Sequence, residues 1–235
     1  TYGSEKSKRI IKGLSLDIPA GKTTAIVGLS GSGKTTLIKL MLGFYPPTEG
    51  TVTIGRQSLQ KISFKEWRKH CGVVMQEGFI FGDTIANNIV PDGNMIDKKR
   101  LLYAVEMANI RDFVESLPLK YNTKIGNTGQ GLSQGQKQRI LIARAVYKNP
   151  DYIFLDEATN ALDANNERAI VENLMEFYKG KTVVIVAHRL STVKNADQLI
   201  VIERGKIIET GTHTELIDRQ GAYYHLVKNQ LELGS

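Results

Sequence analysis

The feature that most constrains the fold is a glycine-rich loop behind a short apolar segment. Residues 28–35 run Gly-Leu-Ser-Gly-Ser-Gly-Lys-Thr and match the pattern G-x-x-x-x-G-K-[ST]. The pattern predicts a phosphate-binding loop, because glycines let backbone N–H groups converge on phosphate oxygens. A predicted strand, Thr23–Val27, precedes the loop, and a predicted helix, Gly33–Leu42, follows it and adds the positive end of its dipole. Lys34 supplies a charge for the β- and γ-phosphates and Thr35 a hydroxyl for Mg²⁺.

Composition narrows the class of protein. The chain of 235 residues has 31 Lys and Arg against 24 Asp and Glu, and its net charge of +7 favours anionic partners. Hydrophobic residues make up 41% of the chain, which excludes a disordered protein. The single cysteine, Cys71, excludes an intramolecular disulfide and is expected to be a small core residue at the edge of a strand.

Short β-branched segments alternate with longer helical patterns, which predicts the α/β class. Tyr152–Leu155 and Thr182–Ala187 are predicted strands. The first is apolar throughout and the second from Val183 onward, as expected of strands buried on both faces of a parallel sheet. Gly205 lies between two further strand candidates and predicts an antiparallel hairpin. Residues 77–131 are mostly helical and predict an inserted lobe. The other predicted strands are 51–54, 72–75, 198–203 and 206–210, and the other predicted helices are 64–70, 97–108, 111–116, 133–148, 163–178 and 213–219.

Polar side chains stand at the carboxyl ends of several predicted strands. Asp156 and Glu157 end one strand, and Gln76 and His188 end two others. Ligands of open α/β sheets bind outside these ends, so these groups and the phosphate loop are expected to face one crevice. Asp156 is a candidate Mg²⁺ ligand and Glu157 a candidate general base for an attacking water. A turn cap at Asp156 and structural roles for Gln76 and His188 are the plain alternatives.

The stretch Leu132–Gln136 opens the helix that is predicted to end at Lys148. Ser133 and Gln136 have the spacing of a capping box, and Gly135 leaves the first turn bare. A capped, bare helix N-terminus is a candidate anion site. Plain helix capping is the alternative, and the two roles are compatible.

Together these motifs occur in the order of the ATP-binding cassette, with Ala161-Leu162-Asp163 between the acidic pair and His188. The chain resembles the nucleotide-binding domain of an ATP-binding-cassette transporter over essentially its whole length. The resemblance implies a P-loop NTPase-like α/β fold, with a mostly parallel sheet, an antiparallel edge hairpin and an inserted helical lobe. It implies one domain over 1–235, with a RecA-like core of about 1–76 and 132–235 and a helical subdomain of about 77–131.

The same resemblance implies an ATPase that uses ATP and Mg²⁺ and works as a head-to-tail homodimer with composite sites. Glu157 is expected to be the general base, His188 the γ-phosphate contact, and Gln76 a contact of Mg²⁺ and the lytic water. Tyr2 is expected to stack on adenine. The catalytic group is Glu157, His188, Lys34 and Gln76, and the Mg²⁺ ligands are Thr35, Gln76 and Asp156. The ATP contacts implied are Tyr2, Gly28, Ser30, Gly31, Ser32, Gly33, Lys34, Thr35 and Thr36, with Ser133, Gly135, Gln136 and Asp163 serving the opposite subunit.

Within the family, 79–89 and 188–192 resemble exporters, and 132–136 with 160–167 most resembles peptide and bacteriocin exporters. This implies a peptide substrate bound by other domains, a transmembrane domain and often a peptidase domain on the same chain, and a place at the cytoplasmic face of the cell membrane. No nucleic-acid partner is expected. Two residues depart from the pattern, Gln134 where Gly is usual and Asn127 where Glu is usual. The family's first strand would precede Tyr2, so we expect a longer protein.

Other readings of the motifs are a soluble cassette ATPase that acts on DNA or ribosomes, an importer ATPase subunit, and an unrelated P-loop kinase or GTPase. DNA-acting relatives place a coiled coil between phosphate loop and signature, but only 99 positions (133 − 34) separate Lys34 from Ser133. Ribosome-acting relatives carry two cassettes, and this sequence has one. A guanine-reading Asn-Lys-x-Asp is absent from the sequence, which disfavours a GTPase. The exporter-like segment 79–89 disfavours an importer.

Overall fold

The computed structural model describes residues 9–90, 95–126, 129, 131–160, 162, 164–187 and 193–233. Strands and helices alternate along these ranges. The strands are β1 Thr23–Val27, β2 Thr53–Ile54, β3 Gln57–Ser58, β4 Cys71–Val74, β5 Tyr152–Asp156, β6 Thr182–Val186, β7 Gln198–Glu203 and β8 Lys206–Gly211. The helices are α1 Lys34–Met41, α2 Phe64–Lys69, α3 Ile85–Ile89, α4 Lys98–Met107, α5 Arg111–Ser116, α6 Gln134–Lys148, α7 Ala164–Phe177, α8 His213–Asp218 and α9 Ala222–Leu233.

The chain forms two compact units. The first comprises Thr1–Cys71 and Gly180–Ser235, and the second comprises Gly72–Lys179. The lobe predicted over 77–131 lies within the second unit, and so do residues 132–179 of the predicted core. The limits of the predicted core and helical subdomain stay predictions.

A mixed sheet forms the centre of the first unit. β1 pairs in parallel with β6 on one side and with β7 on the other, so that Ala25 lies opposite both Ile185 and Leu199. β8 adds to β7 in the antiparallel direction, with Glu203 opposite Lys206. The prediction of a mostly parallel sheet with an antiparallel edge hairpin is therefore confirmed.

Burial explains why the strands of this sheet are apolar. β1, β6 and β7 are buried along nearly their whole length, as strands of a parallel sheet are when both faces are covered. α1 buries Leu37, Ile38 and Met41, which lie on one helical face. The indole of the buried Trp67 donates to the Met41 carbonyl at 3.0 Å and so ties α2 to the end of α1. Cys71 is buried at the start of β4, as expected.

The second unit is largely helical. β4 and β5 are neighbouring strands, and α6 packs against α3 and α4. Arg111 forms ion pairs with Glu106 and Glu115 at 2.8 and 2.9 Å, which join the end of α4 to α5. Among the described residues, no helix combines the length and the apolar character needed to span a bilayer.

Three elements of the structure are absent from the predicted set. The five-residue helix α3 begins after Thr84, whose hydroxyl accepts from the Asn87 amide at 3.1 Å. Nearer the C-terminus, α9 begins where the Glu209 carboxylate accepts hydrogen bonds from the backbone amides of Ala222 and Tyr223 at 2.7 and 3.0 Å. β3 pairs with β2 as a two-residue antiparallel ladder.

Candidate functional site

The phosphate loop connects β1 to α1 in the first unit. Gly28 follows β1 with φ 149°, and a Cβ at this position would collide with the carbonyl oxygen of Ile202. Gly33 precedes α1 in the left-handed region. No L side chain fits Gly28 without moving β7, which is why the pattern requires glycine there.

Lys34 folds back over the loop that precedes it. Its side chain is 5% exposed, and its ammonium donates to the carbonyls of Gly28 and Leu29 at 2.8 and 2.9 Å. These two hydrogen bonds fix the positive charge of the ammonium against the backbone of the loop. Leu29, Ser30 and Gly31 are exposed, so the outer side of the loop is open to a ligand.

The turn of the β7–β8 hairpin contacts the phosphate loop. Ser32, which is buried, accepts at its carbonyl a hydrogen bond from the Gly205 amide at 3.0 Å. Arg204 and Gly205 both have positive φ, 49° and 81°, as a tight hairpin turn requires. A Cβ on Gly205 would collide with the carbonyl of Ile10. The sequence pattern predicted this turn but gave no signal that it contacts the phosphate loop.

The acidic pair lies in the second unit. Asp156, the last residue of β5, is 0% exposed. Glu157 follows with φ 53° and is half-buried, and its Oε2 accepts from the amide of Asn160 at 2.7 Å. The two carboxylates therefore have different environments, which is the condition for giving adjacent acids different roles.

The donor chemistry of the predicted ligands fits Mg²⁺. Asp156 offers carboxylate oxygens, Thr35 a hydroxyl at the first turn of α1, and Gln76 an amide oxygen two residues beyond β4. Across the described part of the chain, no group of three or more His, Cys, Asp and Glu side chains could hold a metal. Mg²⁺ is commonly held by one or two carboxylates together with substrate phosphates, so such a cluster is not required.

The N-terminus of α6 has the predicted capping box. The Ser133 hydroxyl accepts from the Gln136 amide at 3.1 Å, and the Gln136 side chain accepts from the Ser133 amide at 2.9 Å. Gly135 lies in the first turn and adds no side chain there. Gln134, which stands where the family pattern usually has Gly, is exposed. A long polar side chain at 134 is therefore compatible with the helix.

A half-buried arginine in the second unit, Arg144, is a residue to which no sequence motif assigns a role. Arg144 of α6 donates to the carbonyls of Asn88 and Phe79 at 2.6 and 3.0 Å, and its guanidinium lies 5.2 Å from the centre of the Phe81 ring. Asn88 is itself buried and accepts at its side-chain oxygen from the Phe81 amide at 2.8 Å. Together they hold the segment 79–88 against α6. Nothing in the local sequence pairs residues 56 positions apart.

Of the predicted site residues, Tyr2, Asp163 and His188 lie outside the described residues, as does Asn127. Within the first unit the structure places Gly28 to Gly33 in one loop and Lys34 to Thr36 in the first turn of α1. Within the second unit it places Gln76 just beyond β4 and the acidic pair at the end of the neighbouring β5.

A parallel sheet whose first strand leads through a glycine-rich loop and a buried lysine into a helix defines a P-loop nucleoside triphosphatase. The ABC transporter family profile matches residues 11–160. The chain therefore belongs to the ABC transporter family and is an ATPase domain of the kind that binds ATP with Mg²⁺.

The chain is similar to one domain of several larger proteins. It is 43% identical over 229 residues to an ATP-dependent lipid A-core flippase of Saccharophagus degradans, covering 97% of this chain and 39% of that protein. It is 43% identical over 232 residues to Multidrug resistance protein 1 of Entamoeba histolytica, covering 97% of this chain and 18% of that protein. The structure of a bacterial Atm1-family ABC exporter with ATP bound matches with a TM-score of 0.93 at 36% identity, covering 98% of this chain and 41% of that one. The chain thus spans well under half the length of these relatives.

Proposed function

We propose that this chain is the motor domain of a membrane exporter and that it hydrolyses ATP in a head-to-tail dimer. The observation that carries the proposal is the phosphate loop, in which two carbonyls fix the buried Lys34 ammonium. A positive charge fixed there would face the β- and γ-phosphates, and the glycines of the loop would let its amides converge on them. The family match over 11–160 supports ATP as the nucleotide.

In the proposed reaction, a water oxygen attacks the γ-phosphorus and its proton passes to the Glu157 carboxylate. The bond between the γ-phosphorus and the β–γ bridging oxygen breaks, and ADP leaves with the electron pair. Lys34 and the loop amides stabilise the charge that develops on the phosphate oxygens. Thr35, Gln76 and Asp156 would hold Mg²⁺, which neutralises phosphate charge when bound.

The rest of the proposed site comes from the opposite subunit. Ser133, Gly135 and Gln136 would present the capped N-terminus of α6 to the γ-phosphate of ATP held by the partner. Closure of the dimer would exclude water and complete the site. Tyr2 as the adenine contact, His188 as the γ-phosphate contact and Asp163 as the dimer contact belong to the same proposal.

The proposed place of the domain is at the cytoplasmic face of a membrane, joined to a transmembrane domain on the same chain. The relatives described above are named for drug resistance, lipid A-core flipping and export. Those names favour an exporter over the DNA-acting, ribosome-acting and importer alternatives. They lend no support to a peptide or bacteriocin cargo or to a peptidase domain, so the cargo stays a prediction from the local motifs at 132–136 and 160–167.

The test is ATP turnover per protein molecule as a function of protein concentration, in Mg²⁺. Glu157→Gln is expected to lower turnover about 10²–10⁴-fold, the scale of a lost general base, while leaving ATP binding intact. Glu172→Gln removes a similar but exposed carboxylate of α7 and is the matched control, expected to turn over normally. A rate per molecule that rises with concentration supports the shared site. Normal turnover by Glu157→Gln would overturn the assignment of the base.

A further inference from the structure

The backbone at Glu157 is unusual for a side chain of its size. Its φ of 53° lies in the left-handed region, which residues other than glycine, asparagine and aspartate occupy uncommonly. Such residues persist where the surrounding structure holds them, and they concentrate at functional sites. The flanking residues supply that hold, since Asp156, Ala158 and Thr159 are all buried.

A side chain three positions later contacts the Glu157 carboxylate directly. The amide Nδ2 of Asn160 donates to Oε2 at 2.7 Å. The acceptor is a carboxylate oxygen, and hydrogen bonds to charged groups are stronger than those between neutral groups. It restricts the carboxylate to one orientation about its terminal torsion.

The turn that contains these residues does not need the Asn160 side chain to close. The main-chain amide of Asn160 already donates to the Glu157 carbonyl at 3.3 Å, and the amide of Leu162 donates to the Thr159 carbonyl at 3.1 Å. An asparagine that only shaped the turn would use its side chain on the backbone. Here the side-chain amide is directed at the carboxylate instead.

We infer that Asn160 is a positioning residue for Glu157, an inference that rests on the proposed function of Glu157 as general base. Asn160 holds Oε2, and the proton of the attacking water passes to Oε1. A base that is itself oriented by a third group is a recurring arrangement at hydrolytic sites. On this inference the chemical step depends on a residue outside the catalytic group of Lys34, Gln76, Glu157 and His188.

The kinetic test compares Asn160→Ala and Asn160→Asp with the wild-type chain at saturating Mg·ATP. A hydrogen bond to a charged group is strong enough that its loss should lower kcat about ten-fold or more. KM for ATP should not change, because positioning of the base matters only in the transition state. Asn160→Asp keeps the shape but replaces the donor with a like charge, so its loss should be larger. Asn87→Ala, which removes an amide bound to the Asp83 carboxylate at 3.0 Å, is the matched control and should keep the wild-type kcat.

A double-mutant cycle separates positioning from a general structural effect. In a Glu157→Gln background the base is gone, so adding Asn160→Ala should cause no further loss of kcat. An equal loss in both backgrounds, an unchanged kcat in Asn160→Ala, or a raised KM alone would overturn the inference. Should Asn160→Ala fail to fold, the isosteric Asn160→Asp carries the same cycle. Normal turnover by Glu157→Gln would instead refute the proposed function, so the two failures are distinguishable.

A second readout needs no catalysis. In nucleotide-free protein, the side-chain amide resonances of Asn160 can be identified by their loss in Asn160→Asp. We expect them to move toward those of an unbonded asparagine when Glu157→Ala removes the acceptor. Resonances that stay in place in Glu157→Ala would overturn the inference even if the kinetic effects were seen.

Discussion

Replacing Arg144 tests whether a half-buried cation stabilises the segment 79–88. Its guanidinium makes hydrogen bonds of 2.6 and 3.2 Å to the backbone and side-chain oxygens of Asn88 and of 3.0 Å to the Phe79 carbonyl. Burial lowers the pKa of Arg144, so desolvation opposes the charge and these bonds must offset it. Arg144→Met keeps most of the side-chain volume and removes all of these bonds. The short bond to the Asn88 carbonyl is worth about 1.5 kcal/mol, and the longer bond to the Asn88 side chain and the exposed bond to Phe79 about 0.5 kcal/mol each. The free energy of unfolding should therefore fall by about 2–3 kcal/mol.

The assay is urea unfolding followed by far-ultraviolet circular dichroism, with amide hydrogen exchange as a local readout. Arg144→Lys keeps the charge but not the planar fork, so about half of the loss should remain. Exchange of the Phe81 amide, which donates to Asn88, should quicken in Arg144→Met. Arg168→Met, whose side chain is 84% exposed, is the control and should change stability by no more than about 0.5 kcal/mol. If Arg144→Met were as stable as the wild type, desolvation of the guanidinium would cancel its hydrogen bonds and the reasoning would be wrong.

Three further changes have expected outcomes. The Thr23 amide, which donates to the Asp197 carboxylate at 2.8 Å, lowers the pKa of Asp197 in the folded state. A pKa that is lower in the folded state stabilises the fold at pH values above the unfolded-state pKa, and this stabilisation is lost as pH falls. The free energy of unfolding of the wild type should therefore exceed that of Asp197→Asn by about 1 kcal/mol or less. This difference should shrink below about pH 4 in acid-unfolding curves. A difference that is constant from pH 3 to pH 7 would contradict this. Gly205→Ala should lower stability by about 1 kcal/mol or more, measured by urea unfolding, because its φ of 81° and its collision with the Ile10 carbonyl both oppose a Cβ; an unchanged midpoint would show that the turn yields freely. Trp67→Phe removes the buried indole hydrogen bond to the end of α1 and should cost about 1–2 kcal/mol, whereas a loss near zero in the same assay would mean that water replaces the indole.

The predictable parts of the fold are the strands whose burial shows in the sequence as a continuous run of apolar residues. β1 and β7 match their predicted limits, and β5 and β6 differ from theirs by one residue, because a strand buried on both faces is apolar throughout. The helix α3, with five residues, is too short to show a helical period. α9 was missed for a different reason. Its apolar residues Tyr223 and Val227 do have helical spacing, and this signal was available.

The candidate site likewise has a part that could be predicted from the sequence and a part that could not. The phosphate loop is contiguous, so its chemistry and its order are visible in the sequence. Contacts that depend on tertiary structure are not, as with Gly205 under Ser32 or Arg144 on Asn88. The bond from Asn160 to Glu157 is local in sequence, yet it depends on the left-handed backbone at Glu157. No residue preference predicts that conformation for a glutamate.

The position of β1 in its sheet has a consequence for biosynthesis. β1 and its loop are made before their neighbours β6 and β7 and the supporting Gly205, which come about 160 to 180 residues later in the chain. Contacts so distant in sequence form slowly and cannot form before both partners have left the ribosome. The phosphate loop therefore lacks its contacts with β7 and Gly205 until most of the domain has been translated. Nucleotide that needs the finished loop cannot guide early folding, and a chain truncated before β7 would lose the site together with the sheet.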